Sequence, residues 1–146
     1  MKNKVAKNTV LRWILSCTLG FLMTFIGAVG MFFMWITGHK IVVYNGSLCC
    51  RCGKGAWGGV NFGPFFFTSH SAVEHTFRHE WGHGVQNAVY GPLFLFIVAI
   101  PSFVRYHYRN FVVATKRKKY SELPPYDAIW FENEATTLGN KYCIEK

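Results

Sequence analysis

His79-Glu80-Trp81-Gly82-His83 lies in the middle of a proline-free segment, residues 72–90, that ends at Gly91-Pro92. Serines precede this segment and Gly-Pro follows it, and both are typical of helix boundaries, so we predict one α-helix over residues 72–90. Residues four apart share a face of a helix, which places the imidazoles of His79 and His83 one turn above each other.

Two imidazoles at this spacing are suited to bind one zinc ion, with Zn–N distances of about 2.0–2.1 Å. Glu80 follows the first histidine and falls beside the metal rather than on it, where it is placed to act as a general base. Zinc polarises a carbonyl group and activates water. The pattern therefore predicts hydrolytic chemistry with Zn2+ as the cofactor and Glu80 as the catalytic residue.

A hydrolytic zinc site needs a third protein ligand and an open fourth position. The last predicted helix, residues 128–142, carries Glu132 and Glu134, which point about 200° away from each other because they are two residues apart. Glu132 shares its face with small residues that allow a close approach to another helix, so we predict Glu132 as the third metal ligand. Glu134 and Asp127 are the alternatives.

The sequence HEWGH at residues 79–83, together with Glu-x-x-Ala at 132–135, resembles the motifs of the gluzincin metallopeptidases, above all a small membrane branch with Glu-x-x-Ala-Asp. The longer pattern HEWGHGVQNAVYGPLFL…IPS…FENEATTLG is also similar to a group of small bacterial membrane proteins with HEYGH- or HEFGH-type motifs. The stretch HEWGHGVQNAVYG resembles intramembrane site-2 proteases as well. The gluzincin resemblance implies a zincin-like helical core that hydrolyses peptide bonds with a zinc ion. The implied residues are the ligands His79, His83 and Glu132 and the base Glu80.

The sequence departs from the Glu-x-x-Ala-Asp form at Thr136, which stands where that branch has Asp. Carboxylates beside metal-bound histidines orient the imidazole rings. We therefore expect another group to take this role here, either Glu74 or a backbone carbonyl.

Three further residues are candidates for orienting the substrate or binding an oxyanion. His75 lies one helical turn before His79 on the ligand face, and Tyr126 and Tyr142 flank the predicted third ligand. Each can donate a hydrogen bond to an oxygen atom that gains negative charge during hydrolysis.

The composition differs from that of a typical soluble domain. Of the 146 residues, 51% are hydrophobic and 16% are charged, against roughly 25% charged in ordinary globular proteins. The net charge of +9 favours contact with anionic lipid headgroups. Residues 13–38 carry no charge and would extend about 39 Å as one helix, enough to cross a hydrocarbon core of about 30 Å. We predict a membrane anchor over residues 1–38 and a lipid bilayer, rather than a specific nucleic acid, as a partner.

Short strands are expected after the anchor. Ile41–Tyr44 is β-branched and aromatic and precedes Asn45-Gly46, so we predict a hairpin whose second strand is Ser47–Arg51. Phe65–Thr68 is predicted to be another strand, whereas the glycine-rich residues 53–63 are interpreted as a flexible loop.

Three cysteines of the hairpin, Cys49, Cys50 and Cys52, lack the paired Cys-x-x-Cys spacing of a typical zinc site. We interpret them as reduced thiols. Neighbouring strand residues point to opposite faces, so Cys50 and Cys52 are predicted to share a face while Cys49 points away.

Residues 93–104 are apolar throughout but only 12 residues long, and Pro101 interrupts them. If they helped to cross a bilayer, Glu132 would lie on the opposite side from His79, and one zinc ion cannot bind ligands on both sides. We therefore predict a re-entrant, interfacial or buried segment at residues 93–104 within a compact domain of residues 39–146, with the site close to the membrane surface.

The expected fold is α+β: an N-terminal transmembrane helix, a short β-hairpin with further strands, and a zincin-like helical core with a Glu-bearing C-terminal helix. The expected function is that of a membrane-anchored zinc peptidase that cuts a peptide or a membrane protein. The alternative is a non-catalytic membrane protein with a structural metal site or an adaptor role. Six basic residues and no acid within residues 105–119 favour a cytoplasmic location of the site.

Overall fold

The computed structural model describes residues 1–143 and confirms an α+β fold. The helices are α1 (Lys2–Lys7), α2 (Thr9–Thr18), α3 (Phe21–Ile36), α4 (Glu74–Tyr90), α5 (Ile100–Ala114) and α6 (Trp130–Tyr142). The strands are β1 (Ile41–Tyr44), β2 (Ser47–Arg51), β3 (Gly59–Phe62) and β4 (Phe65–Thr68). A π-helical turn at Leu95–Ala99 runs into α5, and 3-10 turns lie at Tyr120–Glu122 and Tyr126–Ala128.

The four strands form one sheet in the order β1-β2-β4-β3. The predicted hairpin of β1 and β2 is confirmed, with positive φ angles of 43° at Asn45 and 75° at Gly46, as a tight turn of this kind requires. β4 pairs parallel to β2 and antiparallel to β3. The prediction of a flexible loop over residues 53–63 is wrong for Gly59–Phe62, which forms β3. This strand is stabilised by pairing with β4, and a glycine-rich sequence does not indicate such pairing.

The helices α4 and α6 carry the predicted metal ligands and pack closely against each other. Both helices were predicted, although α4 begins at Glu74 and α6 begins at Trp130. Glycines make the close contact possible: a Cβ atom at Gly82 would overlap the Ala135 carbonyl, and one at Gly139 would overlap the Arg78 carbonyl. The side chains of α6 therefore reach those of α4 across a short gap.

The prediction of one continuous N-terminal helix over residues 13–38 is wrong. The stretch contains α2 and α3, whose axes are bent by 102°. Gly20 lies at the bend, where a Cβ atom would collide with the side chain of Asn87, and Thr24 Oγ1 donates a hydrogen bond to the Ser16 carbonyl at 2.9 Å. Within residues 1–143, no individual helix combines the length and apolarity needed to cross a bilayer; α2 and α3 meet both criteria only together, as a bent pair.

The apolar residues 93–104 are helical and half-buried. Phe94 and Val98 pack against Met23 of α3 and Phe131 of α6. The exposed large side chains of the same stretch are Leu93, Phe96, Ile100, Phe103 and Val104. The structure thus gives this segment one face towards the protein core and one towards its surroundings, while its re-entrant or interfacial placement stays a prediction.

The cysteines of the hairpin lie on the two faces of the sheet. Cys49 belongs to a buried cluster with Phe66, whereas Cys50 and Cys52 lie in the cluster around Phe67, which confirms their predicted arrangement. All five cysteines of the chain are free thiols. Four of them, Cys49, Cys50, Cys52 and Cys143, contribute to apolar packing, whereas Cys17 is exposed, and the metal-binding group found among residues 1–143 contains none of the five.

Candidate metal centre

His79, His83 and Glu132 converge on one point between α4 and α6. Glu132 Oε2 lies 3.0 Å from His79 Nε2 and 3.1 Å from His83 Nε2, and the two Nε2 atoms are 3.1 Å apart. The side chain of His79 is 12% exposed, that of His83 is 8% exposed and that of Glu132 is 0% exposed. Buried donor atoms at the corners of a nearly equilateral triangle form a group that could bind a metal ion.

The separations of these donor atoms are compatible with zinc geometry. Tetrahedral zinc, with bonds of about 2.0–2.2 Å, places its ligand atoms about 3.3–3.5 Å apart. The observed separations of 3.0–3.1 Å need only a small outward movement of flexible side chains to match. Imidazole and carboxylate are also donor types that zinc accepts.

The protonation of the group suits a cation. Burial opposes the ionisation of Glu132, but hydrogen bonds from His79, His83 and Ser102 outweigh burial and hold the pKa of Glu132 well below its usual range. Burial lowers the pKa of His79 and so favours its neutral form. For His83, burial is outweighed by the hydrogen bond to Glu132, which raises the pKa, and a cation at this point competes with that proton.

Gln86 contacts the second nitrogen of His83. Gln86 is completely buried, and its Oε1 lies 2.7 Å from His83 Nδ1. Gln86 was not predicted as a site residue, although it lies three positions after His83 on the same helix, a spacing at which helical side chains meet. The ring of His83 is thereby held with Nε2 towards the other two ligands.

Thr136 contacts the second nitrogen of His79. Its Oγ1 lies 2.9 Å from His79 Nδ1. Thr136 itself therefore orients His79, although it stands where the small membrane branch of the gluzincins has Asp. Glu74, one of the two groups expected to orient His79, makes hydrogen bonds with Tyr44 and Arg78 instead. His79 is therefore oriented by a neutral hydroxyl group rather than by a carboxylate.

Ser102 of α5 contacts the second oxygen of Glu132. Its hydroxyl donates a hydrogen bond to Glu132 Oε1, while Oε2 faces the histidines. No role was predicted for Ser102, although it is part of the stretch IPS at residues 100–102; it is separated from Glu132 by 30 residues and reaches it through a tertiary contact. Each of the three ligands is thus held by a neutral side chain, so the orienting groups add no negative charge to the site.

Glu80 is buried between α4 and the sheet. It is 5% exposed, and burial raises its pKa to about 7. Gly59 of β3 lies directly against it, since a Cβ atom at this glycine would come 2.6 Å from Glu80 Oε1. Gly59 was predicted only to be part of a glycine-rich loop, so its contact with Glu80 was not expected. A carboxyl group that titrates near neutrality is suited to accept a proton and return it.

The predicted oxyanion or substrate-orienting residues differ in position. The His75 ring is exposed and stacks near that of His79 with a centroid distance of 6.5 Å, and the Tyr126 ring lies 6.3 Å from His79. Tyr142 instead packs against a separate apolar cluster, about 15 Å along α6 from Glu132. The structure therefore brings His75 and Tyr126 close to the ligands and leaves Tyr142 at a distance.

The alternative third ligands lie outside the metal-binding group. Glu134 makes hydrogen bonds with Lys2, Gln86 and Tyr90. Asp127 lies in the 3-10 turn that precedes α6. The group that the structure forms among the described residues contains Glu132 alone of the three acids.

Two arginines of α5 hold the segment that carries Tyr126. Arg105 Nε donates to the Tyr126 carbonyl at 3.1 Å, and Arg109 Nη1 donates to the Pro124 carbonyl at 2.6 Å. Both arginines also lie near the Tyr126 ring, each 5.7 Å from its centroid. Part of the basic run on α5 thus fixes the backbone next to the site.

Comparisons of the chain with family models, with curated proteins and with solved structures give no match. The gluzincin resemblance consequently stays a prediction carried by the motifs. The function is inferred from the geometry of His79, His83, Glu132 and Glu80.

Proposed function

We propose that this protein is a zinc-dependent peptidase that works at a membrane surface. The observation that carries the proposal is the position of Glu132 Oε2, 3.1 Å or less from the Nε2 atoms of both His79 and His83, with buried Glu80 adjacent to the first histidine in sequence. Two histidines and a carboxylate are a ligand set of hydrolytic zinc sites, in which a further acid serves as the base.

The number of protein ligands supports a catalytic rather than a structural zinc ion. Structural zinc sites are closed by four protein ligands, whereas catalytic sites have three and keep one position open. Within residues 1–143, the metal-binding group has three members, His79, His83 and Glu132. A structural site would also have no use for an acid such as Glu80 beside the ligands.

The side chains around the ligands have distinct roles in the proposed reaction. When bound, zinc supplies Lewis acidity that polarises the scissile carbonyl group. Glu80 accepts a proton from the attacking water and passes it to the leaving amine, a task for which a pKa of about 7 is suitable. Tyr126 and His75, the aromatic residues close to His79, are the candidates for contacting the substrate oxygen.

A strand edge without a pairing partner supports a peptide as the substrate. Among the strands that the structure describes, β3 pairs with β4 only and forms an edge of the sheet. Gly59 at the start of β3 contacts Glu80, so this edge begins beside the proposed base. Backbone N–H and C=O groups of an edge strand can bind an extended chain by strand addition.

Exposed apolar surface supports work at a membrane. No charged residue occurs in α3, and its exposed large side chains are Phe21, Leu22, Phe25, Ile26, Val29, Phe32, Phe33, Trp35 and Ile36. Apolar surface of this extent is typical of proteins that contact lipid or another protein. On α5, Ser102 binds Glu132 while its neighbour Phe103 is 65% exposed, so the metal centre lies one helix away from an apolar surface. A membrane protein or a peptide at the interface is therefore the proposed substrate.

Metal content and peptide cleavage test the proposal together. Detergent-purified protein is expected to hold one zinc ion per chain and to cleave a quenched fluorescent peptide library. His83→Ala and Glu132→Gln should lose both zinc and cleavage, whereas Glu80→Gln should keep zinc and lose cleavage. His107→Ala is the matched control, since the His107 ring contacts those of Phe103 and Tyr106 and lies outside the ligand group.

Three other results would each contradict one part of the proposal. Full zinc occupancy in Glu132→Gln would exclude Glu132 as a ligand. Unchanged cleavage by Glu80→Gln would exclude Glu80 as the base. Wild-type protein that holds zinc and cleaves no peptide would indicate the alternative, a structural or adaptor role for the metal site.

A further inference from the structure

The side chain of Gln86 connects the metal ligand His83 to a carboxylate that does not bind the metal. Gln86 Nε2 donates one hydrogen bond to the Phe131 carbonyl at 2.8 Å and another to Glu134 Oε2 at 2.9 Å. An amide group has two N–H donors on one atom and an acceptor on the other. Because both donors are taken by oxygen atoms, Gln86 Oε1 has to face His83 Nδ1 at 2.7 Å.

This orientation determines which nitrogen of His83 carries the proton. An acceptor at Nδ1 requires an N–H there, so the neutral ring, which is the form that binds a metal ion, has its lone pair on Nε2. Nε2 is the atom that lies 3.1 Å from Glu132 Oε2, at the point where the metal ligands converge. If the Gln86 amide were reversed, its N–H groups would face Nδ1 and its oxygen would oppose the carboxylate of Glu134.

Glu134 is itself held in place from two other elements. Tyr90 of α4 donates a hydrogen bond to Glu134 Oε2 at 2.7 Å, and Lys2 of α1 forms an ion pair with Glu134 Oε1. The Lys2 ammonium also lies 4.7 Å from the centroid of the Tyr90 ring. These contacts keep the carboxylate next to Gln86 although the Glu134 side chain is 24% exposed.

We propose that Glu134 and Gln86 are positioning residues for the metal centre. Glu134 fixes the amide of Gln86, and Gln86 fixes the tautomer and ring orientation of His83 so that Nε2 is presented to the metal. Glu134, two residues from the predicted ligand Glu132, thus acts on zinc affinity without binding zinc. This inference rests on the proposed zinc site and not on the identity of the substrate.

Zinc dissociation constants of full-length protein in detergent, measured by competition with a chromophoric chelator, test the inference. Glu134→Leu removes the acceptor and should weaken zinc binding about tenfold, the lower end of the range for outer partners of metal-bound histidines. Gln86→Leu removes the contact to the ring itself and should weaken it further. Glu134→Gln should keep the zinc affinity of the wild type, because the new amide group can turn its oxygen towards Gln86.

The matched control is Glu74→Leu. Glu74 resembles Glu134 in its partners, a basic side chain and a tyrosine hydroxyl, here Arg78 and Tyr44, but makes no contact with Gln86 or the ligands in the interactions that the structure describes. Both leucine variants should lower the melting temperature of the metal-free protein, and only Glu134→Leu should lower zinc affinity. Equal zinc affinity in Glu134→Leu and wild type would overturn the inference and leave the zinc site standing. Wild-type protein that binds no zinc would overturn the proposed function as well.

Discussion

Thr136 Oγ1 lies 2.9 Å from Nδ1 of His79, across the contact between α6 and α4. A hydroxyl group at this distance orients the imidazole without placing a second negative charge behind it. The other two ligands are also contacted by neutral side chains, His83 by Gln86 and Glu132 by Ser102. A zinc ion in this centre would therefore keep more of its positive charge, and hence more Lewis acidity, than one whose histidines contact carboxylates.

Replacing Thr136 tests this orienting contact. Thr136→Val keeps the branched shape and removes the hydrogen bond, so the zinc dissociation constant is expected to rise about tenfold. The control is Thr137→Val, the neighbouring exposed residue of α6 whose hydroxyl contacts Asn133 at 3.3 Å rather than a ligand. Equal zinc affinity in the two variants would show that the Thr136 hydroxyl does not act on His79.

Gly82→Ala tests the close packing that brings the ligands together. The added Cβ atom would overlap the Ala135 carbonyl, so α4 and α6 have to move apart and Glu132 is drawn away from the histidines. We expect the free energy of unfolding to fall by about 1–3 kcal/mol and zinc binding to weaken. Denaturant titration and zinc analysis measure the two effects. Asn140→Ala, at an exposed position of α6, should change neither.

Zinc removal should lower the stability of the fold. The three ligand side chains come from α4 and α6, so a metal ion bound by all three stabilises the folded chain and not the unfolded one. At free zinc of 100 times the dissociation constant, the free energy of unfolding should rise by about 2.7 kcal/mol. The gain should disappear in Glu132→Gln and with a chelator, and magnesium should not replace zinc. An equal gain in Glu132→Gln would mean that zinc binds elsewhere.

Vesicle binding tests the membrane contact of α3. Fully burying a Phe side chain contributes about 1.5–3 kcal/mol, so the double variant Phe25→Ser, Phe32→Ser should partition into lipid vesicles at least about tenfold more weakly than wild type. Val43→Ser is the control, because Val43 is 74% exposed but lies on β1. Vesicle flotation measures the partition. Equal loss in the control would point to general apolar adhesion rather than to the α3 face.

Local patterns predicted the elements that carry the site. The spacing of His79 and His83 fixes their shared helix face, because every residue of an α-helix advances by the same angle. The turn at Asn45-Gly46 could be predicted because it depends only on the ability of these two residues to adopt positive φ angles. The small residues beside Glu132 likewise indicated a helix face able to approach another helix, and the structure has that close approach at Gly82.

Contacts between distant segments could not be predicted in this way. Thr136 reaches His79 because α6 packs against α4, and Ser102 reaches Glu132 because α5 comes close to the start of α6 at this point; residues near each of them in sequence do not indicate either contact. The bend at Gly20 has the same origin, since contact with Asn87 of α4 outweighs the tendency of an apolar stretch to continue as one helix. The sequence alone determined that the imidazoles of His79 and His83 share one face of a helix, because helical periodicity fixes their relative direction. The tertiary structure alone decided that Thr136 holds His79 and that Ser102 holds Glu132, because these hydrogen-bond partners come from separate elements.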